Sequence, residues 1–466
     1  MKKNYSYYGK LILCILAISG SGYFLSQSSL AATKSRFEQL ELFNKVLFLI
    51  ESQYYRNVDT EKLINGALRG MMNTLDPHSN FLEKKVLEKM QEDTKGEFAG
   101  LGIEVTQKDG VLVIITPIED SPAYKAGLKS GDQIVEINHE STLGMTLQEA
   151  IDLMKGEPET DIKIGIRRDN NDEGLKNFTI KRKIIKIKPV KSELLDNEYL
   201  YIRLSQFQSG SSEYIGKEIM SYEKKGSKQN KLKGIILDLR FNPGGLLDEA
   251  VDVSSLFLRD GIVVSTEGRD PKQKEIRYVK KTGFKALDVP MIVLINGASA
   301  SASEIVAGAL QDHKRAIIIG TQSFGKGSVQ TVAQVDEDNG VKLTIAQYMT
   351  PSGKKIQALG IKPDIIVEAI ESKEDSGQSS MEESFVREID LRNHLTATIE
   401  TKEEKQIRLE KEKEEKLIRR NKYTKDKNVS KSQDSMLKKY SAKDDNQVTQ
   451  ALVLLKSYKK MKDMAL

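Results

Sequence analysis

The sequence predicts an α/β protein with a smaller β-rich module set into it and helical segments at both ends. Three observations carry that prediction. Met291 to Ile295 is a β-branched run broken by Asn296-Gly297, followed by Glu304 to Leu310 with apolar residues at helical spacing, then a second strand-like run, Ala316 to Ile319, closed by Gly320. Gly234 to Leu239 opens the same way and runs through Asn242-Pro243-Gly244-Gly245 into a helical pattern from about Leu246 to Leu258. Between about Gly96 and Arg168 the pattern instead becomes short strands punctuated by glycine.

A chain of 466 residues can hold two or three domains. Charged residues make up 30% of it, yet the net charge is only +5, so nothing points to nucleic acid. The one cysteine, Cys14, lies in the N-terminal apolar segment, which leaves no disulfide or thiol chemistry for the rest. Four scattered histidines (His78, His139, His313, His394) lack metal-ligand spacing, and no cofactor or metal is implied.

In chain order, Lys2, Lys3 and Lys10 precede an apolar stretch from Leu11 to Leu25, and Ser29-Leu30-Ala31 offers small residues for cleavage. Residues 1–31 read as a secretory signal peptide, so the protein is exported to the periplasm or cell envelope, with membrane contact only through this segment if it stays uncut. Phe37 to Tyr55 and Thr60 to Met72 carry helical patterns within a region spanning 32–92, and Leu75-Asp76-Pro77-His78-Ser79 is a turn. His78 reads as a structural turn histidine.

Residues 93–180 contain Gly100-Leu101-Gly102-Ile103, then Ser121-Pro122-Ala123, Ala126-Gly127-Leu128 and Gly131-Asp132 in order. That string resembles a PDZ domain, whose groove helix would be Thr146 to Lys155. The resemblance implies a peptide groove lined by Leu101, Gly102, Ile103, Leu147 and Ile151 that takes free C-termini. Lys181 to Lys191 alternates basic and apolar residues as a half-exposed strand, and the core spans 181–370. Beyond 371 the composition turns to Lys, Glu, Ser, Asp and Gln; Glu403 to Arg420 is a solvated helix or disorder, and Gln447 to Tyr458 is an amphipathic helix.

Chemistry points to the turn before Glu304. A helix N-terminus leaves N–H groups free to face developing negative charge. A serine there needs a base, and His313 lies about 18 Å along the helix at 1.5 Å per residue. Lys326, in Gly325-Lys326-Gly327, is the nearer candidate, because a desolvated lysine loses its proton more readily. Gln330 lies four residues on, and if the segment is a strand that even spacing puts both side chains on one face. The plainer readings are that Ser301 and Glu304 form a capping box and that Lys326 is a solvated loop lysine. Gly320 to Lys326 also fits the start of a phosphate-binding loop, but Gly327 stands where that loop needs Ser or Thr, and a strand follows instead of a helix.

Ser-Ala-Ser-Ala-Ser-Glu after a strand, followed by Phe-Gly-Lys-Gly-Ser-Val-Gln, resembles the carboxyl-terminal processing peptidases, or tail-specific proteases, over roughly residues 38 to 370. The resemblance implies a crotonase-like mixed-sheet core with an inserted PDZ domain. It further implies a Ser301–Lys326 dyad supported by Gln330, and oxyanion donors from Ala302 and either Gly244 or Gly245. Terminal helices would help form a homodimer. The expected function is an exported serine endopeptidase cutting proteins near their C-termini. The rival is a PDZ-based scaffold with an inactive core, against which all the dyad residues are present.

Overall fold

In the computed structural model, residues 36–108, 110–168, 174–225, 232–270, 272, 274–369, 385–396 and 442–464 are described. The stretch read as a signal peptide, residues 1–31, and the charged run from Glu403 to Arg420 lie outside them. The chain divides after Thr74 into two compact units. The first contains helix α1 (residues 36–53) and helix α2 (Thr60–Met72). Asp59 caps α2 by accepting from the Lys62 N–H.

The second unit opens with β1 (Asn80–Leu82), helix α3 (Lys84–Lys95) and β2 (Glu97–Gly100). A small module follows: β3 (Ile103–Lys108), β4 (Val111–Pro117), helix α4 (Pro122–Ala126), β5 (Gln133–Ile137), β6 (Glu140–Ser141), helix α5 (Leu147–Met154), β7 (Asp161–Arg167) and β8 (Lys176–Lys181). Its antiparallel sheet runs β3-β4-β5-β7-β8 with β6 beside β5. The alternate residues Ile162, Ile164 and Ile166 of β7 fill its core together with Leu112, Ile114 and Ile134. Ser121 caps α4, with Pro122 in the first turn where its missing N–H costs nothing. A capping box of Thr146 and Glu149 starts α5.

The basic–apolar run expected as one strand from Lys181 to Lys191 is divided. β9 (Lys183–Lys186) pairs with β2, and a separate strand, β10 (Val190–Leu195), pairs with β11 (Tyr199–Leu204). Pro189, which has no N–H to give a ladder, lies in the break.

The core continues with helix α6 (Ser211–Lys225), β12 (Gly234–Asp238), helix α7 (Leu247–Phe257), β13 (Ile262–Gly268), β14 (Lys274–Tyr278), β15 (Met291–Ile295), helix α8 (Ala302–Asp312), β16 (Ile317–Gly320), β17 (Ser328–Gln334), β18 (Gly340–Met349) and β19 (Ile365–Ile366). Helix α9 (Asn446–Met464) is the last element. The main sheet runs β10-β11-β12-β15-β16-β19, with only the β10–β11 pair antiparallel. A second sheet runs β1-β18-β13-β14, with β17 also on β18.

The unbroken apolar strands have a structural reason. Ile235, Leu237, Val293 and Ile295 face a core shared with α7 and α8, while Ile236, Ile292 and Leu294 face a second core closed by Val448, Ala451 and Leu455 of α9. Strands covered on both faces lose the polar half of their alternation. The turns after β12 and β15 emerge side by side at the carboxyl ends of neighbouring parallel strands, where open α/β sheets place their sites.

Candidate active site

Two turns and one loop build the site. The turn after β12 and the turn after β15 are stitched by backbone and side chain. The Asn242 carbonyl accepts from the Ala300 N–H (3.0 Å) and Ser303 Oγ (2.9 Å), and Phe241 N–H donates to Asn296 Oδ1 (3.0 Å). Ser299 Oγ donates to the Leu239 carbonyl at 2.8 Å. Ser301 is thereby held at a φ of 55°, a left-handed conformation costly for a serine, immediately before α8.

Ser301 and Glu304 form the capping box at the start of α8, in which the Ser301 N–H donates to Glu304 Oε2 at 2.8 Å; no hydrogen bond donated by the Ser301 hydroxyl is found among the described residues. Glu304 does much more than cap. Its Oε2 also accepts from the Lys326 N–H (2.9 Å), and its Oε1 accepts from Gly325 N–H (2.7 Å) and Ser323 Oγ (2.5 Å). One buried carboxylate therefore ties the serine turn to the lysine loop.

Burial pushes the Glu304 carboxyl up to about 7, against the pull of its four donors. The folded chain thus holds this proton more tightly than the unfolded chain, whose carboxyl titrates near 4.3. The stabilisation is full below about pH 4 and is lost as pH rises through about 7, a loss of about 4 kcal/mol in all and about 3 kcal/mol between pH 5 and 8.5. Urea unfolding at pH 5 and 8.5 should show wild type losing about that much relative to Glu304→Gln, whose own cost is independent of pH. Parallel pH profiles for the two proteins would refute it.

Lys326 is partly buried, and its Nζ makes no hydrogen bond or ion pair among the described residues. Desolvation holds its ammonium below the usual lysine range; nearby Lys342 adds to this, while Glu388, Glu304 and Asp76 oppose it. Gln330 lies on β17, its Nε2 donating to Ser328 Oγ (2.9 Å) and Thr344 Oγ1 (3.4 Å), and none of its bonds reaches Lys326. Thr344 in turn donates to Asp76 Oδ1 at 3.1 Å. His313 is occupied elsewhere, its Nε2 against the Ile262 carbonyl at 2.7 Å.

The two glycines differ. A Cβ on Gly244 would meet Ala300 O at 2.7 Å, Ser301 Cβ at 2.8 Å and the Ala302 nitrogen at 2.9 Å, whereas one on Gly245 would meet Phe207 O at 2.1 Å. Gly244 is the residue set against Ser301 and Ala302. Its N–H donates to Asn242 Oδ1 at 2.9 Å.

In the small module a cleft of about 350 Å³ opens between β3 and α5, lined by Leu101, Gly102, Ile103 and Ile151 among others. Met154 and Lys155 line it too, and Leu147 packs against the module's core instead. Lys155 Nζ pairs with Glu92 of α3 at 2.5 Å. Sequence reasoning also missed Glu304 as a hub, and Asp76, Gln357 and Glu388 entirely. Only Glu304 had a signal, its place three residues after Ser301.

A serine held at a strand-to-helix turn, a desolvated lysine on a loop tied to it and a peptide-sized groove in the same unit are features that a serine-type peptidase of α/β architecture would need. Comparison with known proteins agrees. The model for peptidase family S41 matches residues 198–367, that for the PDZ domain matches 113–168, and that for the activating protease CtpB N-terminal domain matches 22–86. The carboxy-terminal-processing protease of Bartonella bacilliformis is 46% identical over 75% of this chain and 81% of its own. Carboxy-terminal processing protease CtpA of Bacillus subtilis is 37% identical over 76% of this chain and 73% of its own. The solved photosystem II D1 C-terminal processing protease is 28% identical, covering 70% of this chain and 92% of its own at a TM-score of 0.41. The chain belongs to peptidase family S41, among its carboxy-terminal processing proteases.

Proposed function

We propose that this protein is an exported endopeptidase that cuts protein substrates near their free C-termini with a Ser301–Lys326 dyad. The observation that carries the reading is the single carboxylate of Glu304, which holds the backbone of both residues. Neutral Lys326 takes the Ser301 proton as Oγ attacks the scissile carbonyl. The Ala302 N–H, freed at the start of α8, and an N–H from the Gly244-Gly245 turn receive the oxyanion. Lys326 then protonates the leaving amine, and water activated by the same lysine releases the acyl group. Gln330 Oε1 makes no bond among the described residues and is available to orient Lys326 Nζ.

The PDZ groove would read the substrate tail. Its Leu101-Gly102 turn presents backbone N–H groups to a carboxylate, and β3 pairs with the incoming strand. Backbone pairing tolerates many sequences, so apolar tails should be preferred without one strict motif. Export rests on the basic, apolar and small-residue order of residues 1–31.

One experiment tests these parts together. The protein is recovered from the exported fraction, its N-terminus is read by mass spectrometry, and it is given a polypeptide with an apolar tail as free acid or amide. Expected are a start at or near Ala32, cleavage by wild type but not Ser301→Ala, and binding and cutting at least tenfold weaker for the amide, the loss of a charge-assisted contact. Equal cutting of acid and amide removes the tail-reading role. Intact Met1 on cytoplasmic protein removes export.

A further inference from the structure

Outside the proposed dyad, Glu388 and His78 form a contact that the chemistry leaves unused. Glu388 is fully buried in a short 3-10 turn (Glu388–Asp390), beyond the stretch matched to the peptidase family. His78 Nε2 lies 2.7 Å from Glu388 Oε2 and 3.0 Å from Oε1, and Gln357 Nε2 donates to Oε1 at 2.8 Å. A carboxylate does not stay buried without such partners, and one kept there at this cost calls for a reason.

The surroundings supply it. The Glu388 N–H donates to the Phe324 carbonyl at 3.1 Å, two residues before Lys326. Gln357, gripped by Glu388, accepts from the Gly327 N–H at 2.9 Å, one residue after Lys326. The same segment sets the Phe385 ring edge-on to Phe241 at 5.8 Å between centroids and against Gly297, so it touches both turns as well as the loop.

We propose that Glu388, held by His78, is a positioning residue for Lys326: it fixes the loop on both sides of the lysine and keeps a buried negative charge within its field. The proposal rests on the Ser301–Lys326 reading. The charged groups acting on Lys326 are the acids Glu388, Glu304 and Asp76 and the base Lys342, and His78 stands on Glu388. Fields between buried groups act over longer distances than in water. A negative charge favours the ammonium, so Glu388 delays deprotonation of Lys326 while keeping it a stronger base once neutral. Removing that charge must let Lys326 lose its proton at lower pH.

The test is kcat and KM against pH for the intact chain and a tail-bearing peptide. Glu388→Gln should move the rising limb of kcat/KM about one pH unit toward acid, while Glu388→Asp, which keeps the charge, leaves it in place. The limb is a macroscopic property of Lys326 and Glu304 together, so the comparison with wild type carries the result. Gln357→Met keeps the charge and cuts the tie to Gly327. It should lower kcat by about tenfold with KM and the limb unchanged, as a slightly misplaced base does. A limb that stays put in folded Glu388→Gln, or full kcat in Gln357→Met, overturns the proposal; should Glu388→Gln fail to fold, Gln357→Met still decides. Full activity in Lys326→Ala would instead overturn the dyad reading on which it rests.

Discussion

Ser301→Ala and Lys326→Ala are each expected to cut the cleavage rate by about 10⁴-fold or more while leaving the fold intact. Among the described residues the Ser301 hydroxyl and the Lys326 ammonium make no hydrogen bond or ion pair, so neither truncation removes such a bond there. The double variant should be no slower than either single one, because a nucleophile without its base and a base without its nucleophile fail at the same step. His313→Ala should keep its activity once folded, its imidazole being spent on the Ile262 carbonyl. Activity should climb from weakly acidic to alkaline pH as Lys326 deprotonates, the sign expected for a lysine base, with desolvation bringing that climb below the ordinary lysine range. Rates on a defined polypeptide, with circular dichroism to verify folding, decide the matter. An active Lys326→Ala would remove lysine from the mechanism.

What the sequence made legible is what short stretches encode. The runs at 234–238 and 291–295 read as strands because both faces of the sheet are covered, by α7 and α8 on one side and α9 on the other. The glycine and serine triplets of the small module announce its turns, and Ser121, Gly127 and Gly102 occupy those turns. Long-range ties were not legible. Glu304 looks like a helix cap because its place three residues after Ser301 is a capping position, and nothing local says that Ser323, Gly325 and Lys326 return to it. His78 and Glu388 stand 310 positions apart, joined only once β1 pairs with β18 and the segment 385–396 folds back. Leu147, placed in the groove by the PDZ resemblance, does not line the cleft, whose α5 residues are Ile151, Met154 and Lys155.

The two glycines of the turn after β12 should fail in different ways when given a methyl group. Gly244 has a φ of 101°, and its added Cβ would press on Ala300 O, Ser301 Cβ and the Ala302 nitrogen within 2.9 Å. The turn or the serine must then shift by several tenths of an ångström, which moves the oxyanion donors relative to Oγ. Donor misplacement acts on the transition state and not on the bound substrate, so Gly244→Ala should lower kcat by about 10²–10³-fold with KM nearly unchanged. Gly245 has a φ of 144° and would drive its Cβ into Phe207 O at 2.1 Å, against backbone that cannot yield without breaking the 2.8 Å bond from Leu246 N–H to that carbonyl. Gly245→Ala should therefore show its main effect in urea unfolding, with a stability loss of about 3 kcal/mol or more. Gly244→Ala should lose less stability, because the groups it meets belong to one turn that can move as a body. If Gly244→Ala retains kcat, the glycine packed against Ser301 and Ala302 does not hold the oxyanion donors in place.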